Sequence, residues 1–251
     1  MRTRLHKALL SRVDRAIRDY HLLKPGDRVL VALSGGGDSF SLLRLLDDAR
    51  YLVGWKADLV PVHIDLGYRQ SPTPQIERLE EYLRKRGYHY RIERTDFGPL
   101  AHSEYNRANP CFLCARLRRR RLFEIAEEEG CGKIAFGHHK DDVISTFFLN
   151  LLYNREISTI MPLQEFFGGK FHVIRPLYYI EKPMLEKFAL EQGFPIFGSG
   201  CPISGRTERD RLAGLIRQLT LGNPGLRENI FRALYRVKSD YLPRTDGGST
   251  R

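Results

Sequence analysis

Four groups of residues have the types and spacing to do chemistry. Ser34-Gly35-Gly36-Gly37-Asp38-Ser39 follows the apolar run Val29–Leu33 and precedes a helical pattern that begins at Phe40. A strand ending in glycines ahead of a helix leaves backbone N–H groups free at a positive dipole end, which makes a cradle for phosphate. The triple glycine lets the main chain approach an anion closely. Glycines alone would equally suit a tight strand-to-helix turn with Ser39 as its N-cap; the two serines and Asp38 favour phosphate.

The second group is cysteine. Cys111 and Cys114 form a C-x-x-C at the mouth of a helix read over 115–129. That spacing is open to a zinc half-site, a redox dithiol or part of an iron–sulfur site. There is no second C-x-x-C, which disfavours a four-cysteine zinc ribbon. Cys201, in a Gly-Ser-Gly-Cys-Pro loop, is the expected third ligand, and Cys131 reads as structural. Three ligands leave one metal position open to substrate or a small sulfur species, and the residues themselves do not choose iron over zinc.

Arg118 is the third feature. Cys114, Arg118, Leu122 and Ile125 or Ala126 recur at three to four residues, so Arg118 shares a helix face with the cysteine and the core. It is read as reaching a triphosphate or the reacting centre. Arg116, Arg120 and Arg121 are read as pointing outward, towards nucleic-acid phosphates or solvent. The fourth group, Gly137-His138-His139-Lys140-Asp141-Asp142, ends one strand and opens a helix. First-turn carboxylates are favourable against the helix dipole, which accounts for one of the two. A second carboxylate near Asp38 and a triphosphate suggests Mg²⁺, which takes one or two carboxylates plus phosphate oxygens. Zinc is not expected on the adjacent histidines.

Positioning these groups takes a series of alternating elements. Strands are expected over 28–33, 58–65, 88–94, 133–136 and 171–174, with helices over 5–20, 39–50, 74–86, 115–129, 141–153 and 181–192. Residues 96–110 read as irregular, and 155–170 as a loop with a Gly168-Gly169 turn. Helical stretches near 207–220 and 225–238 form a tail, and Asp246–Arg251 is expected to be disordered. Such alternation predicts an α/β fold: a Rossmann-like parallel sheet with helices on both faces, an N-terminal helix and a C-terminal helical tail. The corresponding organisation is an N-terminal helix in 1–27, a nucleotide-binding domain in 28–197 with a cysteine-containing insertion at 96–114, and a ligand loop and tail in 198–251. His63, Ile64 and Asp65 end the second strand, and ligands bind outside the carboxyl ends of parallel strands. Asp65 could also serve only as a loop cap.

The 251 residues carry a formal net charge of +11, which favours a polyanionic partner, nucleic acid before membrane. The longest apolar runs, such as Ile144–Leu152, are too short to span a bilayer. The basic, amphipathic N-terminus lacks the apolar core of a secretory signal, so a cytoplasmic protein is expected.

With these residues in place the chain resembles a family. Ser34–Ser39 is similar to the SGGxDS loop of the PP-loop (N-type) ATP pyrophosphatases, whose sheet is of the adenine nucleotide alpha hydrolase-like kind. Cys111-x-x-Cys114, the arginine-rich helix, Gly137-His138-His139-x-Asp141-Asp142 and Cys201 together resemble the tRNA 2-thiocytidine synthetase branch. The resemblance covers about residues 5–240 and implies ATP-dependent thiolation of a tRNA pyrimidine, with cytidine expected. It implies ATP contacts at Ala32, Leu33, Ser34, Gly35, Gly36, Gly37, Asp38, Ser39, His63, Ile64, Asp65, Gly137 and Asp142. Asp38, Asp142 and Arg118 would be catalytic, Asp38 and Asp142 serving Mg²⁺ or adenylation, and Cys111, Cys114 and Cys201 would hold a [4Fe-4S] cluster. The implied partners are tRNA and a sulfur donor, either a cysteine desulfurase or inorganic sulfide, with a homodimer as one assembly and no membrane. Two departures stand out: Gly37 replaces the lysine usual in the loop, and Ser204 replaces a further cysteine. Two other functions are compatible with the residues: a PP-loop ligase or thiolase with a non-tRNA acceptor, and a zinc-stapled nucleic-acid-binding module without turnover.

Overall fold

Alternation along the first strand sets the architecture. In β1 (Arg28–Leu33), Val29, Val31 and Leu33 enter one apolar cluster while Leu30 enters another. Successive strand side chains point to opposite faces, so a strand apolar on both faces must be covered on both. The computed structural model describes residues 3–52, 56–68, 73–106, 109–205, 207–223 and 225–242.

In chain order the elements are α1 (Arg4–Asp19), β1, α2 (Gly37–Leu52), β2 (Asp58–Asp65), α3 (Thr73–Lys85), β3 (Arg91–Arg94), α4 (Phe97–Ala101), α5 (Pro110–Glu128), β4 (Lys133–Ala135), α6 (Lys140–Leu149), β5 (Leu163–Phe166), β6 (Phe171–Ile174), α7 (Lys182–Gln192), α8 (Glu208–Leu219) and α9 (Gly225–Ala233). The sheet order is β3-β2-β1-β4-β6-β5. On one face, Leu9, Val13 and Ile17 of α1, Phe40 and Leu43 of α2, and Leu185 and Phe188 of α7 are buried together. On the other, Leu122, Ile125 and Ala126 of α5 cover Val60, Val62 and Ile134. A third cluster docks the tail: Ile216 of α8 and Phe231 of α9 pack with Val143 and Ile144 of α6 around Tyr178. The expected α/β architecture is therefore present.

Its edge differs from expectation. Every neighbouring pair is parallel except β5–β6, which is an antiparallel hairpin. The stretch read as a loop over 155–170 contains β5, whose middle residues Gln164 and Glu165 are exposed. A short edge strand with a wet centre carries no clear period-2 signal. The tip is turned by Phe167, Gly168 and Gly169, all at positive φ. The cysteine helix also starts earlier than read. Pro110 occupies its first turn, where a missing N–H costs nothing, so Cys111 and Cys114 lie inside α5 rather than ahead of it. Residues 97–101, read as irregular, form the single turn and a half of α4. α9 ends at Ala233, short of the expected 238. Asp246–Arg251 lies outside the described residues.

Candidate active site

Strand order places the site. β2 and β3 lie to one side of β1, and β4 and β6 to the other. The crevice outside the carboxyl ends of β1 and β4 is thus a topological switch point, the usual ligand position in such sheets. Leu33 is in register with His63, and Val31 with Ala135, so the loop after β1, the end of β2 and the turn after β4 reach one rim.

Two adjoining cavities open there. One, of about 240 Å³, is lined by Ala32, Leu33, Ser34, Asp38, Ser39, Gly137, His138, Asp142 and Arg118, among others. The other, of about 320 Å³, is lined by Ser34, Gly36, His63, Ile64, Asp65, Arg118, Gln75 and the segment Phe197–Ser199, among others. Ser34, Ile64 and Arg118 belong to both.

The glycine loop is held by its own serines. Ser39 Oγ donates to Gly36 O at 2.8 Å and accepts from Ser34 N at 3.2 Å. Because α2 begins at Gly37, Ser39 lies inside the first turn and is not the N-cap. The first-turn N–H groups of a helix have no intrahelical acceptor, which leaves donors for an anion. Gly35 has φ +90, and a Cβ there would stand 2.7 Å from the Phe197 ring. A Cβ at Gly137 would meet the Asp38–Ser39 backbone at 3.2–3.3 Å, so glycine lets the β4–α6 turn lie against the start of α2. Gly35 and Gly37 line neither cavity; they pack the loop from behind.

Asp38, His139, Asp141 and Asp142 converge. His139 Nε2 lies 3.4 Å from Asp142 Oδ2 and 3.7 Å from Asp38 Oδ2. Asp142 also accepts from His139 N at 2.9 Å. Asp141 is occupied elsewhere: it accepts from Lys182 N at 2.8 Å and pairs with Arg227. The two first-turn carboxylates are thus divided, Asp141 binding α6 to α7 and α9, and Asp142 facing the cavity. Lys182, which the sequence reading did not single out, places Nζ 2.6 Å from Asp38 Oδ2. His63 is buried, and its Nδ1 lies 2.8 Å from Leu33 O. Burial, reinforced by nearby Arg118, lowers its pKa against the opposing pull of that carbonyl and Asp65. A neutral ring donating from Nδ1 leaves Nε2 as an acceptor.

The three cysteines are within electrostatic reach of one another. Cys111 is exposed; partial desolvation, with Cys201 and Asp210 adding to it, raises its thiol. Burial also raises Cys114, with Cys201 and Cys111 adding and Arg118 opposing. Tyr68 was also missed in the sequence. Its hydroxyl lies 3.2 Å from His102 Nδ1 and within electrostatic reach of Cys201, Cys114 and Cys111. Burial and then the cysteines push its phenol well above the ordinary range. The only sequence signal was an aromatic three residues beyond Asp65. Cys131 lies apart, buried, its thiol pushed up to about 11 mainly by that burial. Among the described residues, no three His, Cys, Asp or Glu side chains already stand at metal-holding spacing. Arg121, read as outward, instead pairs with Glu93, Glu124 and Glu128.

The chain is similar to known proteins in sequence and in fold. The family profile described as a PP-loop domain matches residues 5–201. A tRNA-cytidine(32) 2-sulfurtransferase of Geobacter sulfurreducens is 35% identical over 240 residues, covering 94% of this chain and 92% of the relative. A protein of the same name from Alkalilimnicola ehrlichii is 39% identical, over 95% of this chain and 76% of the relative. The U34-tRNA thiolase NcsA from Methanococcus maripaludis, solved with its [4Fe-4S] cluster, has a TM-score of 0.74 at 22% identity, covering 95% of this chain and 81% of that one. That likeness is one of fold. The profile and the switch-point loop define the class: the chain belongs to the PP-loop family. Within that family it is an enzyme of the sulfurtransferase branch, so a binding module without turnover is set aside. Among the described residues, no helix is long and apolar enough to cross a membrane.

Proposed function

We propose that the enzyme uses ATP to replace the carbonyl oxygen of a tRNA cytidine with sulfur, at the position 32 for which its relatives are named. One observation carries this reading. Arg118 lines both cavities and also acts electrostatically on Cys114, one helical turn away. This supports a reading in which the phosphate loop and the thiols serve one reaction space.

In this reading Ser34–Ser39 and the first turn of α2 bind the departing pyrophosphate, while His63, Ile64 and Asp65 meet the adenosine. Asp38 and Asp142 would be the carboxylates to hold a Mg²⁺, which would supply charge neutralisation for the phosphates. The base carbonyl oxygen attacks the α-phosphorus and pyrophosphate leaves. Arg118 stabilises the charge that develops on the phosphorus oxygens. Sulfur then attacks the ring carbon, and AMP departs with the original oxygen.

The donor set suits an iron–sulfur cluster: three thiols, in no disulfide, mutually coupled beside a cation. Cys111, Cys114 and Cys201 would hold a [4Fe-4S] group, which supplies an open iron able to carry the extra sulfur. Tyr68 would lie beside this group, within reach of Cys201. Sulfur would be delivered by a cysteine desulfurase or as inorganic sulfide, and a homodimer is compatible with the reading.

The test is mass spectrometry of tRNA nucleosides from a strain lacking the gene. Absence of 2-thiocytidine, restored by the wild-type gene and not by Asp38→Ala, is the expected result; unchanged thiolation refutes the reading. Anaerobically purified Cys201→Ser should lose cluster iron while Cys131→Ser retains it, and the reverse would mean the third ligand is misassigned.

A further inference from the structure

A second surface lies outside the ATP crevice. The exposed side of α5 and the β5–β6 hairpin form an open groove of about 940 Å³. Its floor is aromatic: the Phe123 ring centroid lies 5.1 Å from Phe166, 5.2 Å from Phe167 and 5.5 Å from Phe171. Two further features mark it as a contact surface. Phe112 and Phe167 both line it and are 69% and 67% exposed, an unusual display of large apolar side chains. Phe167 also adopts φ 53 at the hairpin tip, a left-handed conformation in which a bulky residue is an outlier. The hairpin presents that ring instead of burying it.

Charge selects the occupant. Of the cations lining the groove, Arg120 pairs with Glu124 and Lys170 with Glu127. Arg116 and Arg119 have no carboxylate partner among the described residues. An aromatic floor flanked by unpaired guanidinium groups, on a chain of net charge +11, suits unpaired nucleotides: bases stack on the rings and phosphates meet the arginines. A second copy of the same basic chain would have to cover Arg116 and Arg119 without supplying complementary net charge.

Position links the groove to the chemistry. Phe112 lies between Cys111 and Cys114, and Arg119 follows Arg118. We propose that this groove binds the unpaired nucleotides flanking the reacting base of the RNA, with Phe112 and Phe167 as stacking platforms and Arg116 and Arg119 on phosphates. The proposal rests on the tRNA reading above.

The test uses the full chain and fluorescence anisotropy with an unmodified tRNA transcript and a fully paired RNA duplex of similar length. Phe167→Ala should weaken tRNA binding about tenfold and leave duplex binding unchanged, and Phe167→Trp should keep wild-type affinity. The Arg116→Ala/Arg119→Ala double variant should reduce the salt slope of tRNA binding by about two. Unchanged tRNA affinity in Phe167→Ala overturns the groove assignment, provided the wild type binds tRNA. So does conversion of a wild-type dimer to monomer by that substitution, which would make the groove a face between copies. If the wild type binds no tRNA yet still releases pyrophosphate with another acceptor, the tRNA reading falls, and the groove assignment with it.

Discussion

Lys182 Nζ lies 2.6 Å from Asp38 Oδ2, so a cation from the start of α7 sits on the carboxylate at the start of α2. The pair contributes little to the fold. Its side chains are 39% and 28% exposed, and such pairs are worth about 0–1 kcal/mol. Its location matters more, because Gly37 leaves the glycine loop without a cation of its own. Lys182→Met is expected to lower the melting temperature by no more than about 2–4 °C. The same change should slow pyrophosphate release by about 10–100-fold, with Lys182→Arg recovering part of the rate. Wild-type turnover in Lys182→Met would reduce the pair to a surface salt bridge.

The division of labour between Asp141 and Asp142 gives opposite expectations for neighbouring residues. Asp142→Asn keeps an oxygen able to accept from His139 N but removes the charge facing the cavity. Pyrophosphate release should fall on the order of a hundredfold or more with stability nearly unchanged. Asp141→Asn weakens the contacts to Lys182 N and Arg227, and should cost about 1–3 kcal/mol in denaturant unfolding while sparing the chemistry. If each substitution produced the other's phenotype, the two roles would be exchanged.

His63 makes stability depend on pH. Burial lowers its folded-state pKa below the ordinary 6.5, so the unfolded chain binds more protons in the interval just below 6.5. Stability therefore rises with pH through that interval. His63's neutral form is fully stabilising above pH 6.5, and its contribution is lost as pH falls towards the lowered pKa. Urea unfolding between pH 5.5 and 7.5 should show this dependence, and His63→Gln should flatten it. An equally steep profile in the variant would assign the effect to other groups.

The sequence made the site more legible than the sheet edge, for physical reasons. Ser34–Ser39 and Gly137–Asp142 are contiguous, and each follows an apolar strand, so strand ends and a helix dipole are enough to place them on one rim. Arg118 follows from helical spacing, and the structure puts it in both cavities. Lys182, Tyr68 and Phe197 were not legible, because each reaches the site across a long sequence separation and none carries a local pattern. β5 escaped because its inner residues face water. The outward arginines were resolved only by tertiary contacts: Arg121 turns into a carboxylate network formed with β3, whereas Arg116 stays exposed.

Gly37 is fixed by packing against α7 and the segment that follows it. A Cβ there would lie 3.1 Å from Ala189 Cβ and 3.2 Å from Ile196 Cδ1. Ile196 can rotate away, but Ala189 Cβ is fixed to the backbone of α7, which is packed in the main core. Replacing a helical glycine by alanine ordinarily gains up to about 1 kcal/mol, while overpacking costs about 1–3 kcal/mol. The immobile neighbour decides between them, so Gly37→Ala is expected to destabilise. Ala189→Gly removes the obstructing methyl, and a double-mutant cycle should give a coupling of about 0.5–3 kcal/mol in the rescuing direction. A Gly37→Ala variant more stable than wild type, with no coupling to position 189, would show that the loop has room for a side chain at this position.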